Sequence, residues 1–138
     1  MARRDSIIRK EMPIEKLKEL QVGLVYLFGS RACGQANERS DYDFAVLLSP
    51  NLSKEERFEL RLQLIGLFSQ LTKKNVDVVV FNDLASLFFQ YVIIREGALL
   101  YQKSEEERIE FEERLLSRYF DFEPFLDQYN RQYVKANV

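Results

Sequence analysis

A chain of 138 residues with 46% hydrophobic content is long enough to bury one core. Its 20 Lys+Arg against 22 Asp+Glu give a formal net charge of −2, which argues against a surface built to displace counterions from nucleic acid. The absence of histidine excludes Ser-His-Asp and Cys-His catalysis and His-containing zinc sites, so any chemistry must rest on carboxylates, hydroxyls, basic side chains or bound metal.

The opening MARRDSIIRKEM is basic and lacks the apolar run of a signal peptide, and no segment reaches the roughly 20 apolar residues of a membrane span. One cysteine, Cys33, cannot form an intrachain disulfide and suits a reducing cytoplasm. No repeat or Gly/Ser linker interrupts the chain, so residues 1–138 read as one domain. Pro13 is placed to open a first helix in which Ile14, Leu17 and Leu20 share a face. Gly23–Phe28 (GLVYLF) reads as a buried strand ending at Gly29. Tyr42–Leu48 (YDFAVLL) is a second, with an apolar half that predicts cover on both sides. Ser53 and Glu56 have capping-box spacing and open a helix with Leu60, Leu64, Leu67, Phe68 and Leu71 in one stripe. Val76–Phe81 (VDVVVF) is a third strand, rich in β-branched residues. Leu84–Glu96 predicts an apolar helix closed by a left-handed cap at Gly97, and Ala98–Tyr101 a short fourth strand. Ser104–Glu107 repeats the capping pattern and starts a last helical segment, about 104–135, with a break expected near Pro124. Helices alternating with strands predict an α/β (α+β) domain, a small sheet flanked by helices.

The stretch LFGSRACGQANERSDYDF carries the chemistry. Alternation along a strand points Asp41 and Asp43 to one side and Tyr42 to the other. Two parallel carboxylates beside a core need a counter-cation, and hard oxygen donors without histidine favour Mg²⁺, its shell completed by water and substrate phosphate. Asp77 is the one acid inside the third strand. If strands two and three are neighbours, it joins Asp41 and Asp43. Gly29 lets the backbone approach a ligand, Ser30 adds a hydroxyl, and a following helix start would present amides to phosphate. At usage of about 5–7% per residue type, four fixed positions coincide by chance on the order of once in 10⁵ starting points.

Gly29-Ser30, ten residues, Asp41-x-Asp43 and a later in-strand Asp77 resemble the signature of the polymerase-β-type nucleotidyltransferase superfamily. The short chain, FNDLASLFFQYVIIREGALLYQ and RYFDFEPFLDQY resemble its minimal nucleotidyltransferases, the MNT antitoxins paired with HEPN-domain ribonuclease toxins. The resemblance implies a mixed sheet, Mg²⁺ as cofactor, ATP as substrate and transfer of AMP to a hydroxyl, with a tyrosine of the toxin as acceptor. It implies that Ser30 holds phosphate, that Asp41 and Asp43 bind metal, and that Asp77 ligates metal near the incoming hydroxyl and helps to take its proton.

Arg31 and Arg39 flank the loop and are candidates for phosphate contact, Arg31 the stronger. Phe122, Phe125, Tyr129 and Tyr133 form a stripe suited either to the domain's own body or to a partner. Tyr101, Tyr119 and Tyr129 are conceivable sites of self-modification. Two other functions compete: a non-catalytic antitoxin that neutralises its toxin by stoichiometric binding, and a nucleotidyltransferase with a small acceptor of aminoglycoside type, for which 138 residues leave little room.

Overall fold

The computed structural model describes the backbone of residues 2–29 and 42–137 and the side chains of residues 7–29 and 42–121. The order is α1 (Ala2–Glu11), α2 (Ile14–Glu19), β1 (Val22–Phe28), β2 (Tyr42–Leu48), α3 (Lys54–Thr72), β3 (Val76–Val80), a 3-10 turn (Phe81–Asp83), α4 (Leu87–Glu96), β4 (Ala98–Gln102) and α5 (Glu105–Asn137). The strands form one mixed sheet in the order β3-β2-β1-β4. β1 is antiparallel to both of its neighbours, and β2 runs parallel to β3.

Alternation along the strands sorts the residues into two cores. Phe44, Val46, Leu48, Val78 and Val80 pack with Leu17, Leu64 and Phe68 beneath α2 and α3, with Ile8 and Met12 alongside. Ala45 and Tyr26 pack with Phe81 and Ile93 on the opposite face, joined by Leu47, Val79 and Phe111 under α4 and α5. β2 is covered on both sides, as its apolar run predicts.

Local chemistry sets the helix ends. Ser53 Oγ accepts from the Glu56 amide at 3.1 Å while Glu56 accepts from the Ser53 amide at 2.9 Å, the reciprocal pair that starts α3. α3 stops at Lys73, whose φ is 57°. The helix expected from Leu84 starts three residues later, because Ser86 Oγ takes the Phe89 amide at 3.1 Å and becomes the cap. The left-handed cap expected at Gly97 is not there: φ is −78° and ψ 167°, so the chain leaves α4 directly into β4. Glycine is required for space instead, since a Cβ would lie 2.5 Å from the Ile93 carbonyl oxygen and 2.9 Å from that of Leu27.

Three further expectations are corrected. A helix, α1, precedes Pro13, which caps α2 from outside rather than sitting in its first turn. α1 lies against β4, where Arg9 Nε donates to the Leu99 carbonyl at 2.9 Å. The last helix runs unbroken from Glu105 to Asn137. Pro124 has no amide to give to the preceding turn, yet the surrounding turns carry the helix past it.

α5 is fixed to the sheet by a polar chain at its root. The Tyr26 hydroxyl, in the interior of β1, donates to Glu112 Oε1. Arg108 donates to Glu112 Oε2 at 2.9 Å and, through Nε, to Gln102 Oε1 at 2.7 Å. On the other side of β2, Asn82 donates to the Leu48 carbonyl and accepts from the Leu48 amide, both at 2.9 Å, which pins the turn after β3 to the end of its neighbour.

Candidate active site

Three strands deliver the site at one level of the sheet. Phe28 of β1 is the Cα partner of Asp43 in β2, and Asp43 is the Cα partner of Asp77 in β3. Tyr42 projects to the opposite face, where it is buried and meets Phe44 with ring centroids 6.3 Å apart. By alternation Asp43 leaves the sheet on the α4/α5 side, while the Asp77 carboxylate is drawn to the outer margin of β3. Asp43 is half-buried and Asp77 is exposed.

Gly29 sets the position of Asp43. Its φ is +83°, and a Cβ built on it would lie 2.5 Å from Asp43 Oδ2 and 3.2 Å from Asp43 Cβ and Cγ. The backbone freedom assigned to Gly29 is real. The group it lets approach is a carboxylate of the same protein, carried by the adjoining strand.

Asp77 is anchored at the outer margin of β3, an edge strand. Its Oδ1 accepts from the Val78 amide at 2.9 Å and from Arg61 Nη2 at 3.2 Å. Arg61, from α3, also donates through Nε to the Val78 carbonyl at 2.6 Å. Both main-chain groups of Val78 thus take side-chain partners, and both partners meet at the Asp77 carboxylate. Sequence reading missed Arg61. Its only signal is an arginine beside the apolar stripe of the helix that precedes an acid-bearing strand.

The side wall is aromatic: Phe28 meets Phe89 of α4 edge-on at 5.6 Å. Asp41, Ser30, Arg31, Cys33 and Arg39 lie outside the described residues, as do the side chains of Phe122, Phe125, Tyr129 and Tyr133. Tyr101 and Tyr119 are interior, 6% and 9% exposed, and the Tyr101 hydroxyl is itself buried. Among the described residues no group of three His, Cys, Asp or Glu side chains converges as a metal centre. The donor chemistry of Asp43 and Asp77 nevertheless suits a hard divalent cation: two carboxylates in register on adjacent strands, at a solvent-facing end of the sheet.

A mixed four-stranded sheet thus carries strand-borne acids beside a positive-φ glycine. The family described as Polymerase beta, Nucleotidyltransferase matches residues 13–106, and the chain belongs to it. The protein adenylyltransferase MntA of Aphanizomenon flos-aquae (strain 2012/KM1/D3) is 31% identical over 123 residues, covering 75% of this chain and 78% of that protein. A crystal structure of the toxin-antitoxin with AMP-PNP has a chain similar to this one at 26% identity and a TM-score of 0.62, over 94% of this chain and 97% of that one. A structure of tri-AMPylated Shewanella oneidensis HEPN toxin in complex with MNT antitoxin shares the fold, with 24% identity and a TM-score of 0.60 over 97% and 98% of the two chains.

Proposed function

We propose that the protein is an antitoxin that transfers AMP from ATP to a hydroxyl of a cognate HEPN ribonuclease toxin and thereby inactivates it. The relative named protein adenylyltransferase and the toxin-antitoxin solved with AMP-PNP support the donor, the reaction and the partner. The single observation that carries the chemistry is the register of Asp43 against Asp77, with the Gly29 backbone wedged against Asp43.

Asp41, Asp43 and Asp77 are the residues to hold Mg²⁺, which when bound would neutralise phosphate charge and stabilise attacking and leaving oxygens. Gly29 and Ser30 would face the β- and γ-phosphates, and Arg31 would contribute a planar fork to them. The acceptor is a toxin hydroxyl, proposed to be a tyrosine. Its oxygen forms the new bond to the α-phosphorus as the bond to pyrophosphate breaks, and Asp77 would receive the proton. No histidine is needed. The reaction belongs in the cytoplasm, where ATP is available; among the described residues no helix is long and apolar enough to cross a membrane.

The test is mass spectrometry of the toxin after incubation with this protein, ATP and Mg²⁺. The toxin should gain the mass of one or more AMP units, and an Asp41→Ala/Asp43→Ala variant should add none. If that variant neutralises the toxin as well as wild type does at equal expression, the protein works by stoichiometric binding and the enzymatic reading is wrong.

A further inference from the structure

The sheet margin at β3 poses a problem that the sequence solves with two charged residues. An edge strand carries amide and carbonyl groups with no ladder partner, and such groups bind side chains or recruit other strands. At Val78 the amide goes to Asp77 Oδ1 at 2.9 Å and the carbonyl to Arg61 Nε at 2.6 Å. The second guanidinium branch closes the loop on the same Oδ1, at 3.2 Å. A guanidinium has its donors in a rigid fork, so one side chain on α3 fixes both a main-chain oxygen and a carboxylate oxygen relative to the same strand. Oδ1 is thereby engaged by two donors, while Asp77 remains half exposed, 51% at its side chain.

We infer that Arg61 is a positioning residue for the nucleotidyl-transfer site: it clamps Oδ1 of Asp77 against the margin of β3 so that the other carboxylate oxygen is presented beside Asp43 for metal and for the acceptor proton. The inference rests on the reading of Asp77 as a site acid. It gives the ion pair a purpose that surface pairing alone does not supply, since exposed pairs contribute little to stability. Outer partners that orient ligating carboxylates typically carry about 10–100-fold in metal affinity or activity. Lysine cannot replace the clamp, because a single ammonium on a flexible stem does not hold the Val78 carbonyl and Asp77 in one fixed geometry.

The experiment is a double-mutant cycle read on Mn²⁺ binding by electron paramagnetic resonance in the nucleotide-loaded full chain, with single-turnover AMP transfer alongside. Arg61→Met should weaken Mn²⁺ binding and slow transfer by about 10-fold or more, with ATP affinity unchanged, and Arg61→Lys should recover only part of either. In an Asp77→Asn background, Arg61→Met should have no further effect on Mn²⁺ binding, because Arg61 acts through Asp77. Equal losses in both backgrounds, or unchanged or tighter Mn²⁺ binding in Arg61→Met, would overturn the clamp. Full activity and full Mn²⁺ binding in Asp77→Asn alone would overturn the assignment of Asp77 itself. A melting curve for each variant identifies any loss caused by unfolding, and Arg61→Gln, which retains a planar donor, then serves as the substitute with the same expected direction.

Discussion

Gly29 and Asp43 share one volume. A methyl at position 29 would overlap Asp43 Oδ2 while the backbone stays at φ +83°, where an L side chain costs about 1–2 kcal/mol. Gly29→Ala is therefore expected to fold, with reduced stability, and to lose AMP transfer by about 100-fold, the usual effect of displacing a reacting group by about 1 Å. A single-turnover assay beside a thermal melt checks both halves. Near-normal transfer would show that Asp43 can move without consequence. Glycine at this position is legible in the sequence as a requirement for backbone freedom. Its true neighbour is not, because the register that sets Phe28 against Asp43 belongs to the assembled sheet. Arg61 was illegible for the same reason: whether β3 lies at a margin, with groups to clamp, is a property of strand order.

Elements were more legible where one period dominates. β2 runs from Tyr42 to Leu48 as its pattern dictates, and α3 keeps the predicted stripe, with Leu64 and Phe68 fully buried. Phe68 stacks on Phe44 at 4.4 Å, so the two are one packing unit. Phe68→Ala should cost about 3–5 kcal/mol, measurable as a lowered denaturant midpoint with a similar slope, and a loss below about 1 kcal/mol would contradict that packing. α1 escaped notice because its described buried face is thin, with Ile8 interior and Ile7 nearly half exposed. Such a helix takes its stability from β4 rather than from its own periodicity. The break expected at Pro124 is not found: α5 runs from Glu105 to Asn137 across it, although a proline inside a helix removes one donor.

At the scale of the molecule, two cores share one sheet, so losing either layer exposes the other and unfolding should be a single transition by circular dichroism and tyrosine fluorescence. The polar chain at the root of α5 makes that transition sensitive to alkali. Burial, and then the bond to Glu112, pushes the Tyr26 phenol well above its ordinary value of about 10. A proton held more tightly in the folded state stabilises fully below that ordinary value, and its contribution falls as pH rises past it, since only the unfolded chain ionises. The Tyr26 contribution should therefore be constant from neutral pH up to pH about 10 and decline above it. Tyr26→Phe should lower stability at neutral pH by about 1–3 kcal/mol, through the donor lost to Glu112 Oε1, and flatten the alkaline decline. Tyr101, whose phenol is also raised by burial, contributes to the residual slope in the same direction. Denaturant titrations at pH 8 and pH 11 measure both effects.

The two margins of the sheet share a device. At β4, Arg9 occupies the Leu99 carbonyl; at β3, Arg61 occupies that of Val78. A neighbouring extended segment that tried to lengthen the sheet would have to displace a guanidinium on either flank before forming its first ladder bond. Each border of the sheet thus has one of its outward carbonyls already engaged by a side chain, from α1 on one flank and from α3 on the other.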